Sequence, residues 1–219
     1  LECERVKDAL VSSFSAMPRG NVIKDITTEI TDIPEGREIK IIKEEMENIS
    51  QGKFSMAVRL GKNYQHMSLG VLLVFNALYG GSVSSKLFSN VRERLSLCYY
   101  ASSSVDFLKG FMLVGSGIDK GKFQIAKDEI IRQLEDVKAG NFTDEELKDA
   151  ISAVVTDLKR IMDYQSAADV YFTDRFSNGI YFTPEEMISL VEKVTREDIV
   201  KLGKSVKADT VYFLSGKEL

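Results

Sequence analysis

Histidine is almost missing from this chain: His66 is the only one in 219 residues. A zinc site assembled from the chain's own imidazoles is therefore excluded at the outset. Cysteine is nearly as scarce. Cys3 and Cys98 show neither metal-type spacing nor a disulfide framework, which fits a reducing compartment, most simply the cytoplasm. No apolar segment approaches the roughly 20 residues that span a bilayer, so a membrane is not an expected partner. Clustered positive charge is also absent. The formal net charge is −4 and the pI is near 5.3, so nucleic acid is not an expected partner either. There is no GxxxxGK[ST] and no GxGxxG, which removes the usual nucleotide loops. The opening LECERVKDAL has no charged start followed by an apolar run, so it is not a signal peptide. Beginning at Leu1, it reads as the interior of a longer protein.

What remains is an ordinary soluble composition, 44% apolar and 28% charged, long enough to bury a full core without disulfides or metals. Val6, Leu10, Val11 and Phe14 recur at helical spacing and stop at Pro18 and Gly20. Residues 21–36 read as a linker or extended connection. In 37–48, Ile39, Ile41 and Ile42 favour a strand, while the Lys/Glu run tolerates a helix; the strand is preferred. GKFSMAVRL (52–60) alternates Phe54, Met56, Val58 and Leu60 against small or polar residues, the pattern of a half-buried strand. From about Gln65 to Tyr79 the chain is apolar nearly all round, which predicts a buried helix ended by Gly80-Gly81. A second helix is expected from about Ser84 to Arg94, with Leu87, Phe88, Val91 and Leu95 on one face. Residues 97–107 and 111–118 then form an antiparallel hairpin turned at Lys109-Gly110.

The second half is helical and well punctuated. Phe123, Ala126, Ile130, Leu134 and Val137 define a helix that stops at Gly140. Thr143 and Glu146 make a capping box, with Phe142 and Leu147 as its staple. The pattern allows the helix that follows to run past Tyr171. The device recurs at Thr183 with Glu186, and at Thr195 with Asp198. The last segment, 208–216, is an apolar strand that returns to the sheet. Strands and helices do not alternate regularly. The expected fold class is therefore α+β, a largely antiparallel sheet with helices packed on one face.

Several residues are candidates for chemistry, each beside a plainer reading. Gly80-Gly81-Ser82 before a helix can hold an anion on free N–H groups, or let a peptide backbone approach closely; the plainer reading is a tight turn. His66 reads as an ordinary helix-terminal or surface histidine. The Asp144, Glu145, Glu146 cluster is explained by the helix dipole. Arg92 and Tyr99 are the sharper pair. An arginine fork holds a carboxylate or carbonyl by two parallel bonds, and a tyrosine hydroxyl donates to an oxyanion. From spacing alone, a surface arginine and a core tyrosine explain them as well.

Three stretches carry a resemblance: QGKFSMAVRLG (51–61), NALYGGSVSSKLFSNVRERLSLCYYASSS (76–104), and the T-x-E-E-L start at Thr143. They are similar to the second half of an M16-family zinc peptidase, the group of pitrilysin, the mitochondrial processing peptidase and their bacterial two-subunit relatives. The resemblance assigns 37–219 to the C-terminal domain and 1–36 to the end of a preceding domain plus a linker. It implies two halves or subunits enclosing a chamber for unfolded peptide, hence a dimer-like assembly. Zinc would be held by an HxxEH motif in the complementary half or a partner subunit. This chain has no HxxEH, so no cofactor is expected in it and it is not expected to cleave peptides alone. The family's arginine and tyrosine, seven residues apart, fall on Arg92 and Tyr99 as the catalytic pair. Gly80, Gly81, Ser82 and Tyr100 are the expected substrate-binding positions around them. A non-catalytic assembly or peptide-holding subunit of the same fold is the alternative.

Overall fold

The computed structural model describes residues 3–18, 38–61, 68–107, 109–177 and 179–217. The expected linker at 21–36 and the reading of His66 lie outside them. Helix α1 (Cys3–Ser15) forms as its spacing predicts, but Val6, Leu10, Val11 and Phe14 all remain exposed. The centre of the fold is a five-stranded sheet of β1 (Lys40–Met46), β2 (Gly52–Arg59), β3 (Cys98–Asp106), β4 (Phe111–Ile118) and β5 (Lys207–Gly216), in the order β1-β5-β2-β4-β3. Only the β1–β5 pairing is parallel; the other three are antiparallel. The mixture follows from β5 returning at the end of the chain to lie between β1 and β2.

Side chains alternate across a strand, and β2 shows what that does here. Phe54, Met56 and Val58 are buried, Ser55 and Ala57 between them are half-buried, and Lys53 before them is exposed. The buried face shares one apolar core with α2 (Leu69–Asn76), whose Leu72, Val74 and Phe75 are at most 1% exposed. Each such side chain contributes about 1.5–3 kcal/mol by leaving water. Around α2 stand α3 (Phe123–Ala139), α4 (Asp144–Asp163), α5 (Gln165–Ser177), α6 (Pro184–Val191) and α7 (Arg196–Gly203). α2 packs against α4, α6 and α7, α3 against α7, and α4 against α5 and α6. All three expected capping boxes are formed, at Thr143, Thr183 and Thr195.

Three expectations need correction. Gly80 and Gly81 do not follow the buried helix; they belong to its last, widened turn, a π-turn over Ala77–Gly81. The helix expected from Ser84 forms as a π-helix over Leu87–Arg94, and its end shows the wide spacing in the Leu95 N–H bond to the Asn90 carbonyl at 3.2 Å. The long helix does not run past Tyr171. It ends at Asp163, where Tyr164 takes an extended conformation (φ −126°, ψ 117°), and α5 begins afresh.

Buried polar contacts lock these irregular turns in place. The Tyr79 hydroxyl donates to the Ile130 carbonyl of α3 at 3.0 Å, and full burial pushes its pKa well above the ordinary phenol value. Ser103 of β3 donates to Asn76 at 2.7 Å. Asn90 of the π-helix donates to Gln133 at 3.0 Å, and Gln133 donates to Glu129 at 2.8 Å. The π-helix and π-turn are thus fastened to both the sheet and α3.

Candidate functional site

Four elements meet at the β3 end of the sheet: the π-turn, the π-helix, β3 itself and α4. Between them lies an open groove of about 660 Å³. Gly80, Gly81, Ser82, Arg92 and Tyr100 all line it, so the structure brings together five of the six residues singled out in the sequence. Tyr99 is not among the lining residues. It stands one residue from Tyr100 and is 75% exposed.

The chain reaches this arrangement through two local irregularities. Between the π-helix and β3, Ser96 adopts the left-handed conformation (φ +48°), uncommon for a residue other than glycine. Lys122 donates to its carbonyl at 3.1 Å and Leu97 N–H reaches back to Val91 at 3.0 Å, holding the turn closed. At the start of β3 the ladder then slips. Cys98 pairs with Ile118 and Ala101 with Ser116, so Tyr99 and Tyr100 together oppose Gly117 alone. This is a β-bulge, which bends a strand and re-aims its side chains. The lack of a side chain on Gly117 is what admits Tyr100, because a Cβ there would lie 2.8 Å from the Tyr100 ring and from the Gln51 amide oxygen. Ser116 fixes the bulge by donating to the Tyr100 carbonyl at 2.7 Å.

Arg92 is exposed, with its guanidinium stacked 4.7 Å from the centre of the Phe88 ring. Among the described residues it has no carboxylate partner. Its charge is felt at the start of β3: burial pushes the Cys98 thiol up, against the opposing pull of the Ser116 hydrogen bond and of Arg92. The arginine and the bulge tyrosines thus lie around one strand end. An exposed fork and an exposed phenol can hold a carbonyl or stabilise a forming oxyanion.

The glycines are occupied by the chain itself. Gly80 is buried, and a Cβ on it would meet Leu87 Cδ1 at 2.7 Å, Ser103 Oγ at 2.7 Å and Ser103 N at 2.9 Å. The close backbone approach it permits is that of the π-turn to β3. On Gly81 a Cβ would run into the Asn76 side chain. Ser82 donates to the Ala77 carbonyl at 2.9 Å and closes the turn.

One wall of the groove was not singled out in the sequence. Ser152, Ala153, Thr156, Asp157 and Arg160 of α4 line it. Their spacing of three and four places them on one helical stripe, beside the apolar stripe of Ala150, Val154, Leu158 and Ile161. That spacing was the available signal.

α4 is pinned against the π-helix by Glu146, the glutamate of its capping box. Glu146 accepts from the Thr143 N–H at 2.7 Å, and its two oxygens also take Lys86 at 2.7 and 2.9 Å. Burial raises the Glu146 pKa, but Lys86 and Thr143 together outweigh it and the net shift is downward. A depressed carboxylate contributes stability that is present above the unfolded pKa and lost as pH falls through the folded one. Glu146→Gln keeps the cap but leaves Lys86, 12% exposed, without its anion. We expect a loss of about 1–3 kcal/mol at pH 7, read by urea denaturation, with the gap to the parent protein closing below about pH 4. A constant gap across that range would refute the ion pair.

The donor set does not fit zinc. The sequence has one imidazole, and among the described residues no three of His, Cys, Asp and Glu cluster to hold a metal. Among the described residues no helix is long and apolar enough to cross a membrane.

The fold is a largely antiparallel sheet packed with helices, and comparison with known proteins gives its family. The family model for the peptidase M16 inactive domain matches residues 2–154. A protein of Bacillus subtilis (strain 168), described as "Probable inactive metalloprotease YmfF", is 33% identical over 167 residues, covering 76% of this chain and 39% of that protein. A conserved protein of Enterococcus faecalis V583 superposes with a TM-score of 0.80 at 27% identity, over 96% of this chain and 50% of that one. A protease from Helicobacter pylori superposes at 0.81 with 17% identity, over 98% and 53%. The chain belongs to the peptidase M16 family, as its inactive domain. It spans about two fifths of its Bacillus subtilis relative and half of these two structures.

Proposed function

We propose that this chain is the non-zinc half of an M16-type metallopeptidase, residues 37–219 forming the C-terminal domain. It pairs, as a dimer-like assembly, with a half or subunit that carries HxxEH and zinc, and it works in the cytoplasm on unfolded peptide. In this reading Arg92 orients the peptide by its carbonyls or carboxylates. Tyr99 donates a hydrogen bond to the oxygen that becomes negative as the scissile carbonyl is attacked. Gly80, Gly81, Ser82 and Tyr100 border the bound segment. The observation that carries the reading is the bulge at Tyr99–Tyr100. It takes two residues out of the ladder and leaves a phenol 75% exposed at a strand end where Cys98 feels the charge of the exposed Arg92.

The test is reconstitution with the zinc-bearing half, followed by Tyr99→Phe. Peptide cleavage at the parent rate would refute the role. A second reading, a peptide-holding or assembly subunit without catalytic duty, draws support from the Bacillus subtilis relative described as inactive. It predicts peptide binding to the assembly with no turnover, and no loss with Tyr99→Phe.

A further inference from the structure

Resting on the peptide-holding reading above, we propose that the α4 wall of the groove selects an acidic side chain in an extended peptide, with Arg160 as the residue that reads it. The occupant is extended because of how the groove meets β3. Tyr100, Ala101 and Ser102 all line it. Consecutive side chains on a strand point to opposite faces, so a groove touching three in a row runs along the strand's edge rather than over one face. β3 is the last strand on its side of the sheet. Among the described residues its outward N–H and C=O groups face no further strand, and such an edge pairs with an added extended segment.

The opposite wall sets what that segment carries. Ser152, Ala153 and Thr156 are small and leave the groove wide. The Thr156 hydroxyl already donates to the Ser152 carbonyl at 2.8 Å, so its proton is not available to a ligand. Charge enters at the next turn. Among the lining residues Arg92 and Arg160 face a single carboxylate, Asp157, which leaves the groove positive in a chain whose formal charge is −4. The Arg160–Asp157 contact is long, 3.6 Å, between side chains 65% and 68% exposed. A pair of that kind is weak and water-screened, and a carboxylate offered by a peptide competes for the guanidinium through two parallel bonds. Arg92 is committed to the main peptide contact in the proposed function. Arg160, on a separate element, is the group left to discriminate.

The experiment is fluorescence anisotropy on the full chain, using labelled ten-residue peptides of Ser, Thr and Val with amidated C-termini. They differ at one central position, Asp, Ala or Lys. The Asp peptide is expected to bind about tenfold more tightly than the Ala peptide, as a charge-assisted pair requires, and the Lys peptide most weakly. The preference shrinks as salt is raised. Arg160→Glu reverses the order of Asp and Lys. Lys159→Glu makes the same charge change one residue away, outside the groove, and keeps the order. Asp and Ala peptides binding equally overturns the proposal while leaving the peptide-holding reading standing, as does an Asp preference that survives Arg160→Glu. An acidic preference seen only with free C-termini also overturns it, because the terminal carboxylate is then the ligand. Failure of all three peptides to bind overturns both readings.

Discussion

Tyr99→Phe is expected to lower kcat of the reconstituted peptidase by about 100-fold or more, the cost of removing one oxyanion donor. KM should move little, because the contact forms only as the carbonyl oxygen gains charge. The structure makes the substitution clean. Tyr99 is 75% exposed, so losing its hydroxyl leaves no buried group unsatisfied and the melting temperature should stay put. The ring itself is retained, so the bulge, fixed by Ser116 bonding to the Tyr100 carbonyl, keeps its shape. Tyr100→Phe supplies the comparison. Tyr100 lines the groove but packs over Gly117 with Lys53 5.9 Å from its ring, and its loss should be far smaller. Equal losses at the two tyrosines would mean that both hydroxyls contribute and that Tyr99 is not the one placed donor.

Much of the fold was legible because its signals are local. The three threonine caps sit at fixed offsets from their acidic partners, and all three form as expected. The alternation in 52–60 faithfully marks which side of β2 is buried. What the sequence hid depends on partners far along the chain. The widened turns at Ala77–Gly81 and Leu87–Arg94 are held by Tyr79 on Ile130 and Asn90 on Gln133, 51 and 43 residues away. The bulge at Tyr99–Tyr100 is a register fact between two strands and depends on Gly117. Nothing in CYY announces it. The break at Tyr164 escaped because the apolar period continues through it. At the site, Arg92 and the glycines were readable as types. The α4 wall was overlooked for a different reason: its five residues are small or unremarkable, and become a surface only once β3 is seen to be an edge.

The glycine pair yields the second large effect, and it separates two readings that sequence left open. If Gly80 serves a visiting peptide, Gly80→Ala should disturb binding and leave the empty protein as stable as before. The geometry predicts the opposite. A Cβ at Gly80 would press on Leu87, which is fully buried, and on Ser103 Oγ, which is held at 2.7 Å by Asn76. It would also lie 2.9 Å from the Ser103 backbone nitrogen, which cannot give way without moving β3. Overpacking of this kind costs about 1–3 kcal/mol, or a melting temperature lower by roughly 2–12 °C for a domain of this size. The measurement is calorimetry without peptide, with Gly121→Ala as the control, since a Cβ there meets nothing within 4 Å. Should Gly80→Ala melt with the parent protein, the close approach of the π-turn to β3 is not what the glycine is for, and the peptide backbone becomes its remaining use. Should it melt early, the glycine's work is to seat the Arg92-bearing helix against the strand that displays Tyr99, which makes it a residue of the site's framework rather than of its contact surface.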